Sequence, residues 1–127
     1  MTAPKSPDPA PTGRYSKLEL ARHERGLVIT PTAGVLAVQA EIDALRKEIN
    51  AAVKDNPAKV YVLDLGKVGF VSSAFLGNLV DMAKKFRAAG APFRLCRVQP
   101  EIAKVLKASK LDSLLDIRVD VPDALHL

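Results

Sequence analysis

Val60-Tyr61-Val62-Leu63-Asp64-Leu65-Gly66-Lys67-Val68-Gly69-Phe70-Val71-Ser72-Ser73-Ala74-Phe75-Leu76-Gly77 passes from one hydrophobic period to another within a single stretch. Residues 59–65 hold Val60, Tyr61, Val62 and Leu63 in one short apolar run, the pattern of a parallel strand buried on both faces. Residues 66–69 read as a loop bounded by glycines, and Phe70 and Val71 lead out of it. A helix then starts at Ser72 or Ser73. Leu76, Leu79, Ala83 and Phe86 recur at steps of three and four, flanked by Val80 and Met82. Gly90 stands where a helix takes its C-terminal glycine. A buried strand feeding a helix is the building unit of an α/β fold.

The same alternation continues on both sides. Upstream, Val38, Ile42, Leu45, Ile49 and Val53 mark an amphipathic helix that Asn56 and Pro57 end. Before it, residues 17–23 and 26–30 read as two strands of a hairpin, with Gly26 giving the turn its backbone freedom. Residues 31–34 interrupt the pattern. Downstream, residues 92–98 form a strand, and Pro100 opens a helix whose inner face is Ile102, Val105 and Leu106. Leu111, Leu114 and Leu115 pack a turn, residues 117–121 form a last strand, and residues 122–127 a short helical stub. The order β-β-α-β-α-β-α-β predicts a mostly parallel mixed sheet with helices, with the N-terminal hairpin strand at its edge.

Length and composition set outer bounds. A chain of 127 residues with 48% apolar content suits one domain with a sizeable core. Residues 1–16 hold Pro4, Pro7, Pro9 and Pro11 among small polar residues and read as a disordered tail, leaving 17–127 as a single domain. The tail has no apolar segment of a secretory signal, and no run is long enough to insert in a membrane, so a cytoplasmic protein is expected. One cysteine, Cys96, excludes an intrachain disulfide and fits a buried strand thiol. His23 and His126 have no ligand spacing, so no metal and no cofactor is expected. The net charge of +5 is scattered over helix faces, and with no Trp, two Tyr and four Phe there is no stacking platform, so no nucleic-acid partner is expected. No base is spaced to activate Ser72 or Ser73, so no catalytic residue is assigned and the chain is not read as an enzyme.

The stretch quoted first resembles the signature of STAS domains of the anti-sigma factor antagonist type. That family shows an apolar strand ending in Asp-Leu, a short loop, an aromatic, an aliphatic, then a serine pair. Here these are Asp64-Leu65, Phe70-Val71 and Ser72-Ser73. Ala88-Ala89-Gly90, the strand from Phe93 to Cys96, Val98-Gln99-Pro100 and Leu111-Asp112-Ser113-Leu114-Leu115 extend the likeness over about residues 17 to 125. The resemblance implies that Ser73, the second serine, is the residue phosphorylated by a serine kinase anti-sigma factor. It implies that the unphosphorylated form binds that kinase, that a phosphatase reverses the mark, and that Ser72, Ser73, Ala74 and Phe75 meet the partner. A helix N-terminus tolerates a phosphate well, so the modification would disturb a docked partner more than the fold. Serines at a helix start are also ordinary caps, and one can cap while the other is modified.

The chain departs from the family's pattern at three places. Gly34-Val35-Leu36-Ala37 stands where many antagonists carry Gly-Glu-Leu-Asp; Phe75 stands where the family has glycine; Lys110 replaces a glycine before Leu111-Asp112. For Phe75 two placements are open: a ring packed on the core beside Leu79, or an exposed partner anchor. The competing role is a STAS interaction subunit, not phosphorylated, of a transport or stressosome-like assembly.

Overall fold

A computed structural model describes residues 8–9 and 15–126. Its main sheet has six strands: β1 (Asp8–Pro9), β2 (Leu18–Arg22), β3 (Leu27–Pro31), β5 (Tyr61–Asp64), β7 (Phe93–Cys96) and β8 (Asp116–Arg118), in the order β1-β2-β3-β5-β7-β8. β2 and β3 are antiparallel, and every pairing from β3 to β8 is parallel. The helices are α1 (Gln39–Asp55), α2 (Ser73–Ala88), α3 (Pro100–Ala108) and α4 (Val121–Leu125), with a 3-10 turn at Leu111–Leu114. The mostly parallel sheet with an antiparallel N-terminal edge is the expected architecture.

The central strand β5 is buried at every position because both of its faces are covered. Tyr61 and Leu63 join a large core with Ile42, Leu45 and Ile49 of α1 and Leu76 and Leu79 of α2. Val60 and Val62 face the other way, with Val28 and Cys96, against Ala124 and Leu125 of α4. The C-terminal stub therefore covers the second face of the sheet. Arg94 holds it there, donating through Nη1 to the carbonyls of Ala124 at 2.8 Å and His126 at 2.7 Å. Gly26 belongs to this layer too. Its backbone does not need the left-handed conformation expected for a turn glycine. A Cβ there would lie 2.5 Å from the Val60 carbonyl oxygen and 2.9 Å from Leu125, so close packing is what requires glycine.

The helix ends follow local chemistry. Asn56 donates its side-chain amide to the Ala52 carbonyl at 2.9 Å and closes α1 before Pro57. α2 ends as expected at Gly90, whose φ is 73°. The Gly90 amide reaches Arg87 O at 3.0 Å and the Ala91 amide reaches Phe86 O at 2.9 Å, a Schellman pair. On α3, Ile102 and Leu106 are buried as expected, but Val105 is 44% exposed and does not belong to the inner face.

Three other expectations are corrected. Tyr15 is buried in the main core, and Ser16 and Lys17 donate their backbone amides to Glu48 of α1 at 3.1 and 2.8 Å, so residues 15 and 16 pack on the domain expected to begin at residue 17. Asp8–Pro9 pairs with β2 as the outermost strand, where the missing proline N–H does no harm; the rest of the expected tail, residues 1–7 and 10–14, lies outside the described residues. Finally, the break expected at residues 31–34 is shorter, since Pro31 still belongs to β3, and a strand that was not expected follows it. β4 (Val35–Leu36) pairs in parallel with β6 (Phe70–Val71) to make a separate two-stranded sheet.

Lys110 adopts a left-handed conformation with φ 59°. That explains why a glycine suits this place, since a side chain there costs on the order of 1 kcal/mol. Lys110→Gly is expected to raise stability by about 0.5–1 kcal/mol, measured by urea unfolding. An unchanged or lower midpoint would show that the residue carries no backbone strain.

Candidate functional site

The candidate site is built where the loop after β5 turns into α2. Asp64, the last residue of β5, is 3% exposed. Its Oδ1 accepts the Gly66 amide at 2.9 Å and Arg97 Nε at 2.9 Å, and its Oδ2 accepts Arg97 Nη2 at 2.9 Å. Gln99 donates to the Gly66 carbonyl at 3.0 Å, and Val68 is fully buried beneath the loop. The loop is thus pinned from β5, from the chain after β7, and from the core. Hydrogen bonding and charge attraction from Asp64 push the Arg97 guanidinium further up. Cys96 is wholly buried beside this pair, as expected, and burial with the Asp64 charge pushes its thiol up to about 12. It is a protonated packing group, not a nucleophile.

From the loop the chain enters β6 and is caught by β4. The amides of Gly69 and Phe70 both reach the Gly34 carbonyl, at 2.8 and 3.2 Å, and the Ser72 amide reaches Leu36 O at 2.9 Å. Ser72 is the N-cap of α2: its backbone is extended, and its Oγ accepts the Phe75 amide at 3.3 Å. Ser73 is the first helical residue and is exposed, with no hydrogen bond to its hydroxyl among the described residues. Ala74 is exposed beside it. The two serines therefore divide the roles available to them, one capping the helix and the other facing solvent.

Phe75 does not join them at the surface. Its ring is 1% exposed and lies among the largest fully buried side chains. The core placement holds, and the expectation of Phe75 as a partner contact is corrected: the residue two places past Ser73 points inward along the stripe of Leu76 and Leu79.

Sequence reasoning missed what surrounds Ser73. Val35 and Phe70 are register partners in the β4–β6 sheet, and they are 54% and 57% exposed. Val38, just before α1, is 58% exposed. Val35, at the first of the family's two acidic positions, thus joins Phe70 and Val38 in presenting apolar surface. A clue existed in the apolar Val35-Leu36 itself, but two-residue strands carry no period to read. On its other side Ser73 borders an open groove of about 500 Å³ between α2 and α3.

The arrangement offers an exposed hydroxyl with no hydrogen-bonded base among the described residues, and the buried Asp64 carboxylate is already held by Gly66 and Arg97. Among the described residues no group of three or more His, Cys, Asp or Glu side chains could hold a metal ion, and no helix is long and apolar enough to cross a membrane.

Comparison with known proteins gives a consistent picture. The STAS domain matches residues 17–124. BtrV of Bordetella bronchiseptica, named as an anti-sigma factor antagonist, is 30% identical over 92 residues, which cover 72% of this chain and 78% of BtrV. The anti-sigma F factor antagonist of Paenibacillus polymyxa is 26% identical over 75% of this chain and 80% of its own length. Among solved structures, an anti-sigma-factor antagonist (STAS) domain protein from Planctomyces limnophilus superposes with a TM-score of 0.75 at 23% identity, over 87% of this chain and 96% of that one.

Proposed function

This chain belongs to the STAS domain family, and on that premise we propose that it is a phosphorylation-switched binding module of the anti-sigma factor antagonist kind. Unphosphorylated, it binds a serine kinase anti-sigma factor in the cytoplasm. The kinase transfers the γ-phosphoryl group of ATP to Ser73 Oγ, the hydroxyl proton leaves, ADP is released, and the complex parts. A phosphatase restores the hydroxyl by hydrolysing the phosphoester. The module itself carries no catalysis.

The observation that carries this reading is the division between Ser72 and Ser73. Because Ser72 already caps α2, Ser73 can be modified without removing the cap. A phosphate at the first helical residue is favoured by the helix dipole, so the domain remains folded in both states. The same phosphate adds nearly two negative charges next to Val35 and Phe70. An apolar patch that binds by excluding water loses its partner when an ion must be desolvated beside it.

The test is incubation of the purified protein with ATP and each serine kinase anti-sigma factor of the source cell. One phosphate is expected on Ser73, and none on Ser73→Ala, whose circular dichroism stays native. Ser73→Asp should weaken kinase binding by about tenfold or more, equal to about 1.4 kcal/mol. Phosphate mapped to another residue of the Ala variant would sink the assignment. A wild-type protein left unmodified by every kinase would favour the alternative of a non-phosphorylated interaction subunit in a transport or stressosome-like assembly.

A further inference from the structure

The strand β8 stands at one end of the sheet order, so its outer edge has no strand beside it among the described residues. An open edge of this kind offers its backbone groups to another strand. From Leu115 to Val119 the chain there reads apolar, acid, apolar, base, apolar. Asp116 and Arg118 share one face, where Arg118 Nε donates to Asp116 Oδ1 at 2.6 Å. Leu115, Ile117 and Val119 take the other face by the two-residue period of a strand. Ile117 is 38% exposed, and Val119, at 78%, is the most exposed large apolar side chain among the described residues.

In an antiparallel pair this order of residues is complementary to itself. With a second copy antiparallel and Ile117 on the two-fold axis, Asp116 faces the copy's Arg118, and Arg118 faces its Asp116. Leu115 and Val119 meet twice, and Ile117 meets its own counterpart. Neighbouring registers lose the match. A shift of one residue sets charge against apolar surface, and centring the pair on Asp116 or Arg118 sets like charges opposite each other. We propose that β8 is a self-pairing edge, at which two copies of this chain join about a two-fold axis into one continuous sheet. The charges that keep other strands off a short edge here admit one partner in one register. Leu115 also lines a groove of about 490 Å³ with Ala83 and Arg87 of α2, which gives the second copy's Val119 room to pack. Ser73 plays no part in the contact, so the proposal does not depend on its phosphorylation.

Sedimentation equilibrium of the full chain is the test. A pairing this short gives a weak dimer, with an expected Kd of about 10–100 μM. Val119→Asp, at an exposed position, should keep the wild-type melting temperature. It should weaken the dimer about tenfold or more, because it sets a carboxylate against Leu115. Arg118→Asp sets two carboxylates opposite each other and should weaken it as much, and Asp116→Arg does the same with two guanidinium groups. Neither charge variant should dimerise alone, whereas an equimolar mixture of the two should, since each supplies the charge that the other lacks. A wild type that stays monomeric at about 1 mM overturns the proposal. So does a wild-type dimer whose Kd Val119→Asp and Arg118→Asp leave within about twofold, because the copies then meet elsewhere. A mixture of the two folded charge variants that stays monomeric overturns it as well. Asp116→Arg also removes the anion 3.4 Å from Arg94 Nε, and if that variant does not fold, Val119→Asp and Arg118→Asp decide alone.

Discussion

Phe75→Ala should lower the stability of this domain by about 3–5 kcal/mol, the loss typical of a phenyl ring removed from a packed core. The ring is 1% exposed, in the first turn of α2, and belongs to the same cluster as Ile42, Leu63 and Leu79. Its removal opens a cavity where α2 meets α1 and the sheet, and the rigid strands around it cannot collapse to fill it. For a domain of this size the melting temperature should drop by more than about 10 °C. Measured well below that temperature, the affinity of the folded fraction for a partner should be nearly unchanged, because the side chain does not reach the surface. A Phe75→Ala protein that melts like wild type but binds weakly would show that the ring faces the partner. Phe75→Leu should recover much of the loss, since it restores most of the buried volume.

Asp64→Ala should cost about 2 kcal/mol and, beyond that, loosen the start of α2. The carboxylate is buried, and it satisfies the Gly66 amide and three contacts from Arg97. Without it the Gly66 N–H has lost its acceptor, and hydrogen bonds to a charged group are worth about 1.5–3 kcal/mol. Arg97 contributes toward the lower end, because its side chain is 51% exposed and water can take over its charge. Asp64→Asn should be milder, since an amide oxygen can still accept from Gly66. The diagnostic measurement is hydrogen exchange. Protection should fall at Gly69, Phe70 and Ser72, whose amides bond to the carbonyls of Gly34 and Leu36, while the β2–β3 amides stay protected. Uniform loss of protection across the sheet would mean that Asp64 stabilises the whole fold and not this loop.

The elements that were legible in the sequence are those with long or strongly marked patterns. The stripes of α1 and α2, the apolar run of β5, Pro100 at the start of α3 and Gly90 at the end of α2 each placed an element within a residue or two. The serine pair gave both the cap and the exposed hydroxyl. What was not legible depended on partners far away in the chain. Val105 fits the period of α3, yet α3 has only a narrow buried side of Ile102 and Leu106. Tyr15 follows a run of prolines, and only its packing beside α1, with Asp55 Oδ2 at 3.5 Å from its hydroxyl, shows that it is docked. Gly26 looked like a turn residue, and the crowding that requires it comes from Val60 and Leu125. The patch of Val35 and Phe70 is invisible until two strands separated by α1 and β5 are brought side by side.

That last pairing determines when the site can exist. Leu36 supplies the carbonyl that anchors the Ser72 amide, and between them the chain must complete α1 and β5. The loop is then clamped by Arg97, which follows β7. Closing contacts between residues so distant in sequence costs more chain entropy than forming the local helices and the hairpin. A chain still emerging from the ribosome, or one partly unfolded, would carry Ser73 in a flexible segment without its flanking patch. On the function proposed above, partner recognition would then double as a check on maturity, because only a finished domain presents both the hydroxyl and its patch.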